Sequence, residues 1–212
     1  MFTERSIPNK RPIFIIGGVH GDEPEGVELA TQTLKWLLKQ EEIGNPVPNS
    51  WLVIPCLNLE GFVLRQRQNA NGVDLNRNYP SLCWEPNFDS DRYFPGEKPG
   101  SEPEVQMVMD LIKKKKPQLI IHCHSWKPCI VYTGEPGFRD AELLANSSAY
   151  KLVNDIGYST PGSLSDFAWN DNGIPVICVE ERAGIKLDKV WPHFGDGMQS
   201  ILLDSRARVV GG

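Results

Sequence analysis

The chain predicts an α/β sandwich, and three observations carry that reading. Short apolar runs rich in β-branched residues, "RPIFIIGG", "SWLVIPCLN", "PQLIIHCHS" and "IPVICVEE", have the composition of strands buried on both faces. Segments with helical spacing of apolar residues lie between them, and such alternation argues for a sheet covered by helices. The 212 residues, 40% hydrophobic and 23% charged, have the composition of an ordinary globular protein, so residues 1–212 are read as a single domain.

Taken in order, "PEGVELATQTLKWLLKQ" follows the first strand with Val27, Ala30, Leu34 and Leu37 or Leu38 on one helical stripe, and Pro24 suits the first turn. After the second strand, Asn58 to Gly100 is rich in Asn, Gly, Pro and charge and carries little periodicity. A run that long inside a compact domain is more often functional than accidental. "GSEPEVQMVMDLIKKKKP" reads as a helix opened by Ser101 and Glu104 in capping-box spacing. Its Lys113–Lys116 run falls at the helix end, where cations meet the negative pole of the dipole, and needs no binding role. "RDAELLANSSAYKLVNDIG" is helical, and "DKVWPHFGDGMQSILLDS" is expected as a broken or short helix with Gly195 and Gly197 near its start.

The formal charge of -5 and the pI near 5.4 give no long-range attraction to nucleic acid or an anionic membrane, so a small metabolite or peptide is the expected partner. No signal-peptide core or 18-residue apolar run is present, which reads as a cytoplasmic protein. Cys56, Cys83, Cys123, Cys129 and Cys178 are scattered and odd in number, as expected of reduced thiols.

The chemistry sits at the strand ends. The first strand ends in His20 and Glu23, the one near residue 120 in His124, and the one near residue 177 in Glu180. Ligands of open α/β sheets bind outside the carboxyl ends of strands. Two histidines and a carboxylate with an open position are a catalytic zinc set, which leaves Glu180 free as general base. His20 and Glu23 flank a tight turn that Gly21 permits. Alone, H-x-x-E is better met by a helix N-terminus that favours acidic side chains. The loop "RQNANGVDLNRNYP" shifts the balance: Asn76 with Arg77 suit a substrate carboxylate, Arg67 suits a developing oxyanion, and Asp74 is placed to orient a zinc-bound histidine.

These residues resemble the zinc carboxypeptidase family, in which H-x-x-E and a later histidine bind one zinc ion. The resemblance runs from about residue 13 to residue 181. It implies a three-layer sandwich with a mixed, mostly parallel central sheet and helices on both faces. It implies His20, Glu23 and His124 as zinc ligands, Arg67 beside the oxyanion, Asn76 and Arg77 as the carboxylate clamp, Tyr158 on the substrate side and Glu180 as acid/base. Leu164 matches a family position near the specificity pocket. Within the family, "NANGVDLNRNYP", "GEKPGSEPEVQ" and "GYSTPGSLSDF" are similar to the murein peptide amidase A group. That group is cytoplasmic and cleaves the γ-D-glutamyl-meso-diaminopimelate amide of recycled cell-wall peptides. Cys178 stands where the family commonly has threonine, and the chain is short for the group. Glu181 is a second carboxylate that strand alternation turns to the opposite face. His122 is placed no nearer than behind the ligands, and His193 is read as structural. Rival readings are a carboxypeptidase on α-linked peptides, an N-acyl amino acid deacylase, and a peptide-binding module without catalysis.

Overall fold

The computed structural model describes residues 1–208. In chain order its strands are β1 (Thr3–Arg5), β2 (Ile13–Gly17), β3 (Trp51–Ile54), β4 (Leu119–Trp126), β5 (Cys129–Thr133), β6 (Lys151–Val153) and β7 (Val176–Arg182). The helices are α1 (Pro24–Glu42), α2 (Leu59–Leu64), α3 (Pro103–Lys115), α4 (Phe138–Ser148) and α5 (Val190–Leu203). One sheet of order β1-β3-β2-β4-β7-β5-β6 forms the middle layer. Its centre, β3-β2-β4-β7, is parallel; β1 joins antiparallel at one edge, while β5 runs antiparallel to β7 and parallel to β6 at the other. This is the mixed, mostly parallel sheet that the resemblance implies.

Alternating side chains feed two cores, because the central strands are buried on both faces. Ile13, Ile15, Ile121, Cys123, Ile177 and Val179 pack under α1, α4 and α5. Phe14, Ile16, Ile120 and Val176 pack with α3, Tyr79 and Leu164 on the other side. From β2 the chain leaves through α1 to β3, on one side, whereas β4 lies on the other. The strand order therefore reverses between β2 and β4, and a crevice opens at their carboxyl ends.

Several expected details are corrected. The buried stripe of α1 is Gly26, Leu29, Ala30, Thr33 and Leu37, with Leu38 exposed. Gly26 sets that rotation, since a Cβ there would lie 2.3 Å from the Cys123 carbonyl oxygen of β4. No capping box opens α3: its N-cap is Glu102, one residue beyond Ser101, whose hydroxyl instead donates to Glu102 Oε1 at 2.6 Å. The last helix is continuous from Val190 to Leu203, and Gly197 serves close packing on α4, since a Cβ there would lie 2.9 Å from the Leu143 carbonyl oxygen. The region read as helical, residues 139–157, is helical only to Ser148, after which Lys151–Val153 pair with β5 as an edge strand.

Candidate active site

β2 runs into His20 through Gly18, whose φ of +63° lies in the left-handed region. Gly21 is needed for a different reason. The backbone of α2 lies against it, and a Cβ would come within 1.9 Å of Gly61 C. This contact holds the turn so that Glu23, the N-cap of α1, folds back on His20. Asp22 pairs with Arg92 at 2.8 Å on the rim.

Three donors meet at the crevice. His20 Nδ1 lies 2.7 Å from Glu23 Oε1, and His124 Nδ1 lies 3.0 Å from Glu23 Oε2. Their ligand atoms fall within 4.8 Å of one another, and all three residues are buried. The backbone N–H of Ser125 donates to Glu23 Oε2 at 3.1 Å and fixes the carboxylate. Behind His20, its Nε2 faces Asp74 Oδ1 at 3.1 Å, while Asp74 Oδ2 accepts from Arg67 Nε at 2.9 Å. Two imidazole nitrogens and a carboxylate turned inward, with an outer partner on His20, fit a zinc ion.

Charge follows from burial and these contacts. Burial alone would raise Glu23, but His20 and His124 hold its carboxyl well below the usual range. Burial would lower His20, and the Glu23 and Asp74 carboxylates outweigh it, so its pKa is raised. His124 is lowered because burial outweighs Glu23. Glu180 is raised well above a normal carboxyl by burial and by the nearby charge of Glu23, against the pull of Arg67. A dication at the three donors would add positive charge beside each of these groups and favour ionised Glu180.

Glu180 stands opposite His124 in the β4–β7 register, and Glu181 opposite Ser125. Glu180 lines the same cleft of about 1080 Å³ as His20, Glu23, Arg67, Asn76, Arg77, His124 and Tyr158. Glu181 turns to the other layer, where it accepts from Tyr150 and faces His193 Nδ1 at 2.8 Å. Asn76 Oδ1 accepts from the Leu164 N–H at 3.0 Å, so its amide N–H groups are left for a ligand. Leu164 is corrected: its side chain is fully buried in the core beside α3, and it serves the cleft through that backbone N–H. Tyr158 is exposed at the cleft, edge-on to Trp126 at 5.5 Å.

Tyr93 was missed by sequence reasoning. Its ring underlies both arginines, 5.2 Å from Arg67 Cζ and 5.6 Å from Arg77 Cζ. "SDRYF" carries no periodicity or spacing that points to this, and only its place in the long loop hinted at it. The same holds for Glu102, which accepts from Asn69 at 2.7 Å and Asn71 at 2.8 Å and so ties the loop to the start of α3.

A zinc carboxypeptidase family model matches residues 2–168, and the chain belongs to that family. Murein peptide amidase A of Escherichia coli (strain K12) is 34% identical over 165 residues, covering 72% of this chain and 64% of that protein. The chain thus spans less than two thirds of this relative's length. Its counterpart from Vibrio campbellii is 29% identical over 182 residues, covering 78% of this chain and 67% of that protein. The crystal structure of murein-tripeptide amidase MpaA from Escherichia coli O157 superposes with a TM-score of 0.77 at 28% identity, covering 97% of this chain and 86% of that one. Among the described residues, no helix is long and apolar enough to cross a membrane.

Proposed function

We propose that the chain is a zinc-dependent amidase that hydrolyses the γ-D-glutamyl-meso-diaminopimelate bond of murein-derived peptides and releases the terminal diamino acid. The observation that carries the chemistry is the placing of Glu180 in one cleft with the His20, Glu23 and His124 set and the Asn76–Arg77 pair. The choice of bond rests on likeness to the amidases named above. A substrate that is a small peptide with a free carboxylate suits the clamp, and the net charge of -5 offers nothing to nucleic acid or an anionic membrane. Five free cysteines accord with a reducing, cytoplasmic setting.

His20, Glu23 and His124 would hold the zinc ion, which would supply Lewis acidity toward the carbonyl and lower the pKa of water. Glu180 takes the proton of the attacking water and hands it to the leaving amine. Arg67, anchored through Nε on Asp74, presents guanidinium donors to the developing oxyanion. Asn76 and Arg77 hold the terminal carboxylate, with Arg77 braced by Nη1 on the Asn76 carbonyl oxygen at 2.8 Å. Tyr158 closes over the bound peptide and excludes water.

The test incubates zinc-loaded protein with L-Ala-γ-D-Glu-meso-diaminopimelate, α-linked peptides and N-acyl amino acids in parallel, with products read by mass spectrometry. Release of diaminopimelate from the γ-linked peptide is expected. Turnover of only the α-linked set or only the acylated set would move the substrate to a carboxypeptidase or a deacylase. Binding of zinc and peptide without hydrolysis would leave a binding module. Glu180→Gln is expected to keep zinc and lose about 10²- to 10⁴-fold in turnover.

A further inference from the structure

His122 and His124 share one face of β4, and their rings touch. His122 Nδ1 lies 3.0 Å from His124 Nε2, with ring centroids 4.1 Å apart and planes at 69°. Both residues are buried, His122 completely. His124 gives its other nitrogen to the centre it shares with Glu23, as His20 does, and each ring rests its Nε2 on a buried partner. That partner is a carboxylate for His20 and an imidazole for His124.

We infer that His122 is the positioning residue of His124: it accepts a hydrogen bond from His124 Nε2–H and so holds the tautomer whose Nδ1 lone pair faces the metal position. This rests on reading His20, Glu23 and His124 as the zinc set. The proton count follows from that reading. A neutral imidazole carries one N–H, and a ligand nitrogen carries none. With Nδ1 of His124 given to metal, its proton is on Nε2, and His122 Nδ1 is the acceptor. The proton of His122 is then on its own Nε2, a buried atom with no hydrogen-bond partner among the described residues. A leucine would fill the same space without stranding a polar atom. The arrangement makes sense only if the opposite nitrogen has work to perform, and His124 is what that nitrogen meets.

Three proteins separate an acceptor from a space filler: wild type, His122→Leu and His122→Asn, whose Oδ1 branches where Nδ1 does. Zinc affinity is read by competition with a chromophoric chelator, with circular dichroism and melting temperature as folding checks. His122→Leu is expected to bind zinc about 10- to 100-fold more weakly, and His122→Asn to recover most of that loss. Leucine with wild-type affinity, or asparagine as weak as leucine while folded, would overturn the inference. So would a second zinc equivalent that depends on His122, because the ring would then be a ligand. Should the variants fold poorly, ¹⁵N spectra of zinc-loaded wild type decide: protonated Nε2 on both histidines is expected, and protonated Nδ1 on His122 overturns it. Wild type that takes up no zinc would instead remove the metal reading itself, and this inference with it.

Discussion

At the scale of single residues, Glu180 and Glu181 are chain neighbours with opposite surroundings. Glu180 accepts no hydrogen bond among the described residues and faces the cleft, whereas Glu181 is held by Tyr150, His193 and the Arg182 N–H. Removing a charge that has partners costs stability, and removing one that has none does not. Glu181→Gln is therefore expected to lower unfolding free energy by about 1–3 kcal/mol in denaturant melts with zinc affinity kept. Glu180→Gln should melt at or above the wild-type temperature. A stability loss in Glu180→Gln equal to that of Glu181→Gln would contradict this division. Alternation along β7 made the opposite faces legible in the sequence. What the Glu181 face meets was not, because Tyr150 and His193 come from elements distant in the chain.

At the scale of elements, two local devices hold the segments around the site, a turn and the long loop. The first is the backbone contact of Gly21 with Gly61, which seats the β2–α1 turn on α2. Gly21→Ala forces those backbones apart and is expected to cost about 1–3 kcal/mol and to weaken zinc binding, readable by melting and metal competition. Sequence reasoning marked Gly21 for conformational freedom, yet the contact that requires it is tertiary. The second device is Glu102 at the start of α3. Burial would raise its carboxyl, but donors on Ser101, Asn69 and Asn71 hold it below its ordinary value of 4.5. A carboxyl whose pKa is lower in the folded chain contributes stability above the unfolded value, and that contribution is lost as pH falls through the folded value. Wild type should therefore exceed Glu102→Gln by about 1–3 kcal/mol near pH 7, with the gap closing below pH 4.5. A gap that is constant with pH would rule out the ionised form as its source. The Ser101–Glu104 spacing pointed to this helix start for the wrong reason: the pattern was visible, while the long-range partners Asn69 and Asn71 were not.

At the scale of the whole molecule, the site joins the ends of β2, β4 and β7 to a loop that crosses them. A ligand bound only by the assembled set stabilises the fold by mass action. Stripping zinc with a chelator is expected to lower the melting temperature on the order of 10 °C, since zinc at a thousandfold its dissociation constant contributes about 4 kcal/mol. Restoring zinc should reverse the shift, and a melting temperature indifferent to chelator would argue against a metal seated between the β2–α1 turn and β4. The sheet edge beyond β7 was the least legible part of the architecture. β5 and β6 are only partly buried, unlike the similarly short but fully buried β2 and β3, so neither carries the buried apolar run that marks the centre.

The sequence by itself determined the central strands, the alternation with helices, and the strand-end residues His20, Glu23, His124 and Glu180, because burial and chemistry act on residue type and spacing. The sequence also put Asp74 and His122 behind the ligands, and only the tertiary structure decided what each meets: Asp74 on His20, His122 on His124, Tyr93 under both arginines, and Leu164 in the core rather than the cleft. Hydrogen bonds and ring contacts of that kind join residues far apart in the chain or set by side-chain rotation, and no local period records them.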